Sequence, residues 1–265
     1  MRGITRDTLV EMFDRKLFYV FAAVTVLSLL VVFLTGSFEV DMSIDTAGER
    51  DAEMLNEMLG DPIIRVFEFY LSFLVFLAVM GTAGLIPNML EKGRADYYLS
   101  KPLSRTALFL NKFFGILIVY GLTIMLSGVI IYAAVGLIHD LFCTRIIYLF
   151  LFSMIAFFIW FSITAFAGVA FGSNAIALMS AFIIWILQKI LAGREILEAL
   201  TSSKIIKYIV DAFYYIIPKT GEISDIAIKL TAGRPVNDWM PFYSSFLFAL
   251  ALLYVAIVIF KLKNY

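Results

Sequence analysis

Reactive and charged side chains are scarce in this chain, and each shortage excludes a class of function. One Cys and one His in 265 residues are too few for a thiolate or imidazole metal site, and Cys143 has no second cysteine with which to close an internal disulfide. Cys143 therefore reads as a packed or lipid-facing residue. The formal net charge is zero, so no basic excess marks a surface for nucleic acid. No Gly-x-x-x-x-Gly-Lys-Ser/Thr run occurs, so the chain does not bind a nucleotide by that route. Its 11 Met residues have no repeated spacing, which removes support for a copper-handling cluster.

What is abundant is apolar. With 62% hydrophobic residues, 26 Phe and a mean hydropathy of +0.93, too little polar surface remains to cover a soluble globule of this size. The composition predicts a single all-α domain in a bilayer. A crossing needs about 20 apolar residues, and residues 17–38, 66–88, 113–138, 146–171, 175–191 and 239–260 each supply one. The last two boundaries within 146–188 come from "FGSNA", residues 171–175, whose turn formers divide an uncharged stretch too long for one helix. The first run is longer than a signal sequence and lacks a small-residue cleavage site, so it is expected to stay as an anchor.

Six spans put both termini on one side. The basic residues cluster in the N-terminal segment (Arg2, Arg6, Arg15, Lys16), in the central loop 89–112 (Lys92, Arg94, Lys101, Arg105, Lys112) and in the tail (Lys261, Lys263). The acidic loop 39–65 has only Arg50 and Arg65 as cations. By the positive-inside rule the N-terminus, central loop and C-terminus are cytoplasmic and 39–65 is external. Residues 1–16 have Leu9, Phe13 and Leu17 on one helical face, with Val10 beside them and Asp7, Glu11, Asp14 and Arg15 elsewhere. That pattern predicts an amphipathic interfacial helix. Within the external segment 192–238, "IIKYIVDAFYYII" (205–217) is too short to cross and ends at Pro218. It is expected to be re-entrant or interfacial, with "EISDIAIKL" forming a second short helix.

The spans are expected to have no ionisable group at depth. Arg65 and Glu68 fall at the outer mouth of the second span, where they read as interfacial groups. No catalytic, metal or cofactor-binding residue is assigned, and an enzyme is not expected, because a catalytic His, carboxylate pair or Cys/His dyad at depth is missing. Thr123, Ser127, Ser162 and Thr164 read as hydrogen-bond partners between helices, and the Gly168/Gly172 spacing as close helix packing.

The central loop is the long charged connection between spans on the cytoplasmic side. "RADYYLS" can make about two helical turns, Lys101-Pro102 stops it, and Ser104 stands as the N-cap of the helix that runs on into the third span. The order "GRADYYLSKPLSR" followed by "NKFFG" resembles the first cytoplasmic loop of ABC-2 type permeases, the membrane subunits of one exporter class of ABC transporters. Gly93, Asp96, Leu99, Ser100, Pro102, Ser104, Arg105, Lys112 and Gly115 fall on matching positions, with departures at Arg94 and Ala95, where Thr and Leu are usual, and an acidic cluster reduced to Glu91. The resemblance implies a permease of the plasma or inner membrane that couples ATP hydrolysis in a separate subunit to export. Its partners would be two copies of a cytoplasmic ATP-binding subunit, which carry ATP and Mg, a second permease copy or homologue, and membrane lipid. It implies a coupling helix in which Glu91, Gly93, Arg94, Asp96, Tyr97, Tyr98, Leu99, Pro102 and Arg105 contact or shape the ATPase seat. Within the family, the long acidic external loop and "LSKPLSR" are nearest to the permeases that serve maturation of the copper enzyme reducing nitrous oxide. The rival expectation is a polytopic scaffold that holds an extracytoplasmic partner through 39–61 and 205–217; it requires the central loop to tolerate charge reversal.

Overall fold

The computed structural model describes residues 10–14, 16–36, 49–90, 104–139, 144–193 and 204–263, and among them the regular elements are all helices. After a helical stretch at 10–14 come α1 (Leu17–Gly36), α2 (Glu49–Thr82), α3 (Leu85–Met89), α4 (Arg105–His139), a 3-10 turn (Thr144–Ile146), α5 (Ile147–Phe171), α6 (Asn174–Ala192), α7 (Lys204–Ile216), α8 (Thr220–Thr231) and α9 (Met240–Leu262). Six helical segments are long and apolar enough to cross a membrane, the second made of α2 and α3 together. The chain is an all-α, multi-pass membrane protein.

The centre of the bundle is α5, apolar on every side, which packs along α9 and also against α2, α6 and α8. Phe157, Ile159, Phe161 and Ile163 are buried there. In lipid, burial gives helices little net drive to associate, so close packing and hydrogen bonds do that work. α1 and α6 are the spans least covered by the rest of the chain. α1 rests mainly on α4, and a buried polar contact ties it to α2: the hydroxyls of Thr25 and Tyr70 lie 3.2 Å apart.

Several expectations from sequence are corrected. α2 begins at Glu49, so the second half of the acidic stretch expected as loop is helical; Ala, Glu, Met and Leu favour that extension. The span then breaks at Ala83–Gly84 before α3. Ser162 and Thr164 donate to carbonyls of their own helix, Phe158 and Phe161, rather than across to neighbours, whereas Thr123 donates to Val119 of its own helix and also lies 3.9 Å from the Met12 sulfur of the N-terminal segment. A hydroxyl three or four residues after a carbonyl finds that partner without help from another helix. Gly168 is a packing residue, but Gly172 takes a left-handed φ of 64° as the C-cap of α5, a turn role rather than a contact one. Ser173 then caps α6, accepting from the Ile176 N–H at 3.5 Å.

At the far end, α7 and α8 meet at Ile217–Lys219. Val210, Tyr214 and Ile217, spaced along one face of the α7 segment, pack against Leu187 and Leu191 of α6 and Met240. Phe213, Tyr215 and Ile216 face outward. α8 inserts Ile223, Ile226 and Ala227 into the main core. The turn between the two helices reaches Ser245, about 8 Å along α9 from its start at 1.5 Å per residue, while the other end of α8 meets Arg145 at the head of α5.

Candidate functional site

Five chain segments converge at the end of the bundle that carries the connection between α3 and α4. The entry to that connection is α3, whose Leu85, Ile86, Pro87 and Met89 are all buried. Pro87 lies against Gly168 so closely that a Cβ on the glycine would come within 2.8 Å of the proline ring. Asn88 accepts a 2.8 Å hydrogen bond from the side-chain amide of Asn174, at the start of α6. The chain thus enters the connection from a seat formed by the α5–α6 turn.

The exit is held from below. Ser104 caps α4 as expected, accepting from the Ala107 N–H at 3.2 Å. Arg105 donates from Nη1 to the Lys263 carbonyl at 2.8 Å. Lys263 in turn places its ammonium on the Val169 and Ala170 carbonyls, at 2.9 and 3.2 Å. Those are unsatisfied acceptors of the last turn of α5, where the helix dipole favours a cation. One side chain and one carbonyl of the tail therefore join the first turn of α4 to the last turn of α5.

About two turns deeper along α4, Lys112 forms an ion pair of 2.7 Å with Glu11 of the N-terminal segment; the lysine side chain is 2% exposed and the glutamate 24%. Met12 is buried beside it, with its sulfur 3.9 Å from the Thr123 hydroxyl. The chain turns between this segment and α1 at Lys16, which takes a left-handed φ of 58°. Beneath the collar the rings of Phe109, Phe113, Phe161 and Phe260 stack, with centroids 4.7 Å apart for Phe113 and Phe161 and 5.4 Å for Phe109 and Phe260.

Of the expected contact residues, Arg105 is in the described part of the chain, and it faces the tail. Glu91, Gly93, Arg94, Asp96, Tyr97, Tyr98, Leu99 and Pro102 lie outside the described residues. The ion pair of Lys112 was not legible as such. Lys112 looked like one more loop cation, and Glu11 fell on the polar side of the amphipathic segment. The face turned into the bundle holds Glu11 and Met12, while Val10 and Phe13 point outward. A lone cation directly ahead of Phe113 and Phe114 was the available signal. At the far end Lys219, between α7 and α8 and outside the spans, is buried at 6% exposure. Glu68 accepts from Ser72 at 2.6 Å. Among the described residues no three His, Cys, Asp or Glu side chains converge as a metal site requires. No protein-family model matches the chain, and no curated protein matches it.

Proposed function

We propose that this chain is the permease subunit of an ATP-driven transporter of the ABC-2 type, exporting its substrate from the cytoplasm. The observation that carries the reading is the collar: the entry and exit of the 91–103 connection are each tied to the end of α5, one through Pro87 on Gly168, the other through Arg105 and Lys263. A connection mounted in this way passes force to the central helix of the bundle. A solvated loop that merely satisfies topology needs no such mounting.

The resemblance of Gly93 to Arg105 to the permease loop supports the same reading, in which a separate subunit supplies the energy. The N-terminus, the collar and the C-terminus are then cytoplasmic, as the Lys and Arg distribution asks. A second permease copy completes the pathway. Glu91, Arg94, Asp96, Tyr97, Tyr98 and Leu99 form the contact with the ATPase, Gly93 and Pro102 shape its backbone, and Arg105 anchors its exit. The scarcity of charge across the spans favours an apolar or amphipathic cargo.

The test is co-purification in mild detergent with the ATP-binding protein encoded beside it. The doubly reversed variant Glu91→Arg, Asp96→Arg is expected to lose the ATPase while keeping the wild-type melting temperature. Retention of the ATPase with unchanged hydrolysis would instead leave the chain as a scaffold.

A further inference from the structure

Beside the turn between α7 and α8 lies a partly open pocket of about 50 Å³ lined by Gln188, Leu191, Tyr214, Lys219, Gly221 and Glu222 among others. Its polar groups are unevenly matched. Lys219 lies with its ammonium 3.1 Å from the Ser244 hydroxyl and 3.3 Å from the Ile217 carbonyl, and 4.4 Å over the ring of Tyr214. Tyr214 donates to both carboxylate oxygens of Glu222, at 3.1 and 2.9 Å. Gln188 accepts from the Thr220 hydroxyl at 2.7 Å, but its Nε2 is buried with no hydrogen-bond partner. A buried amide donor without a partner is costly, and here it borders a cavity.

What fills such a cavity must bring an acceptor. The donors at hand are Gln188 Nε2, a buried ammonium and the N-terminus of α8, whose N-cap Lys219 supplies no side-chain cap and whose dipole favours an anion. A Cβ on Gly221, in the first turn, would meet nothing within 4 Å, so the approach along the helix start is open. Glu222 sets the limit on charge, since its carboxylate, bound by Tyr214, disfavours a dianion nearby. The volume suits a group of about three heavy atoms, given that one water centre needs about 10–15 Å³. Leu191, Ile217 and Pro218 supply an apolar wall, and the site sits about 8 Å along α9 from its start by helix rise.

We propose that this pocket binds a single carboxylate, that of an amphipathic monocarboxylic acid whose chain runs along the apolar wall, with Gln188 Nε2 and the Lys219 ammonium as its donors. The site stands apart from the collar and does not depend on how the chain is powered.

The test uses the full chain in a neutral detergent, with dodecanoate, dodecanol and acetate as probes and binding followed by isothermal calorimetry. Dodecanoate is expected to bind at one saturable site and dodecanol not to. The variant Gln188→Glu keeps the oxygen that accepts from Thr220 and so keeps the fold, but it sets a carboxylate against the ligand and is expected to weaken dodecanoate at least about tenfold, the equivalent of one hydrogen bond to a charged group. Gln188→Leu, checked for wild-type elution and melting, serves as a second variant. Acetate binding with the same dependence on Gln188 would keep the carboxylate site but assign it to a water-soluble acid. Equal binding of dodecanol, or unchanged dodecanoate binding in both variants, would overturn the proposal and leave the cavity to water.

Discussion

The Lys112 ammonium and the Glu11 carboxylate, 2.7 Å apart, join two parts of the chain that sequence places a hundred residues from one another. The pair pins the N-terminal segment to α4 just beneath the connection between α3 and α4. Removing one partner leaves the other charge buried, which costs about 3–5 kcal/mol in a dry site. That range applies to Glu11→Leu, which leaves behind a lysine only 2% exposed. The double variant Glu11→Leu, Lys112→Met removes both charges and is expected to melt closer to wild type than Glu11→Leu alone. If the double variant melts lower still, packing rather than charge holds the segment.

Lys16 occupies a left-handed backbone conformation on an exposed side chain, so its conformation rather than its contacts governs substitution. Left-handed φ costs a residue with a Cβ about 1–2 kcal/mol. Lys16→Gly is expected to stabilise the elbow by up to about 1 kcal/mol, net of the entropy glycine adds to the unfolded chain. Lys16→Val, with a branched Cβ, is expected to destabilise it by at least about 1 kcal/mol. Melting temperatures of the two variants moving in the same direction would count against the elbow.

Gly168 and Gly121 allow a paired comparison. A Cβ at Gly168 meets the rigid ring of Pro87 at 2.8 Å, whereas one at Gly121 meets the sulfur of Met154 at 3.1 Å. Methionine yields by rotation and a proline ring does not. Gly168→Ala is therefore expected to cost about 1–3 kcal/mol and Gly121→Ala clearly less. Under the proposed function, Gly168→Ala also lowers coupled ATP hydrolysis, since it shifts the seat of α3; a hydrolysis rate matching that of Gly121→Ala would separate the seat from coupling.

The six crossings were legible because bilayer thickness imposes a length and a composition that each run meets independently, and turn formers such as Gly172 and Ser173 mark the one junction that charge does not. The N-cap at Ser104 was legible for the same local reason. The helical start of α2 was not, because polar helix and polar loop share a composition. Nor was the hydroxyl pairing of Ser162 and Thr164, since a donor beside its own helix carbonyl and one aimed at a neighbour are the same residue in sequence.

Sequence alone determined the class of solvent, the number of spans and where the chain could turn, all consequences of local hydropathy and backbone preference. Only the tertiary structure decided which cations are buried. Lys112 and Lys219 carry the same side chain as the exposed Lys16 and Lys261, and what distinguishes them is a carboxylate from the far N-terminal segment in one case and, in the other, a hydroxyl of α9 joined to a carbonyl and a ring of the lysine's own approach. A buried charge persists only where such partners converge, and convergence is a property of packing, not of order along the chain.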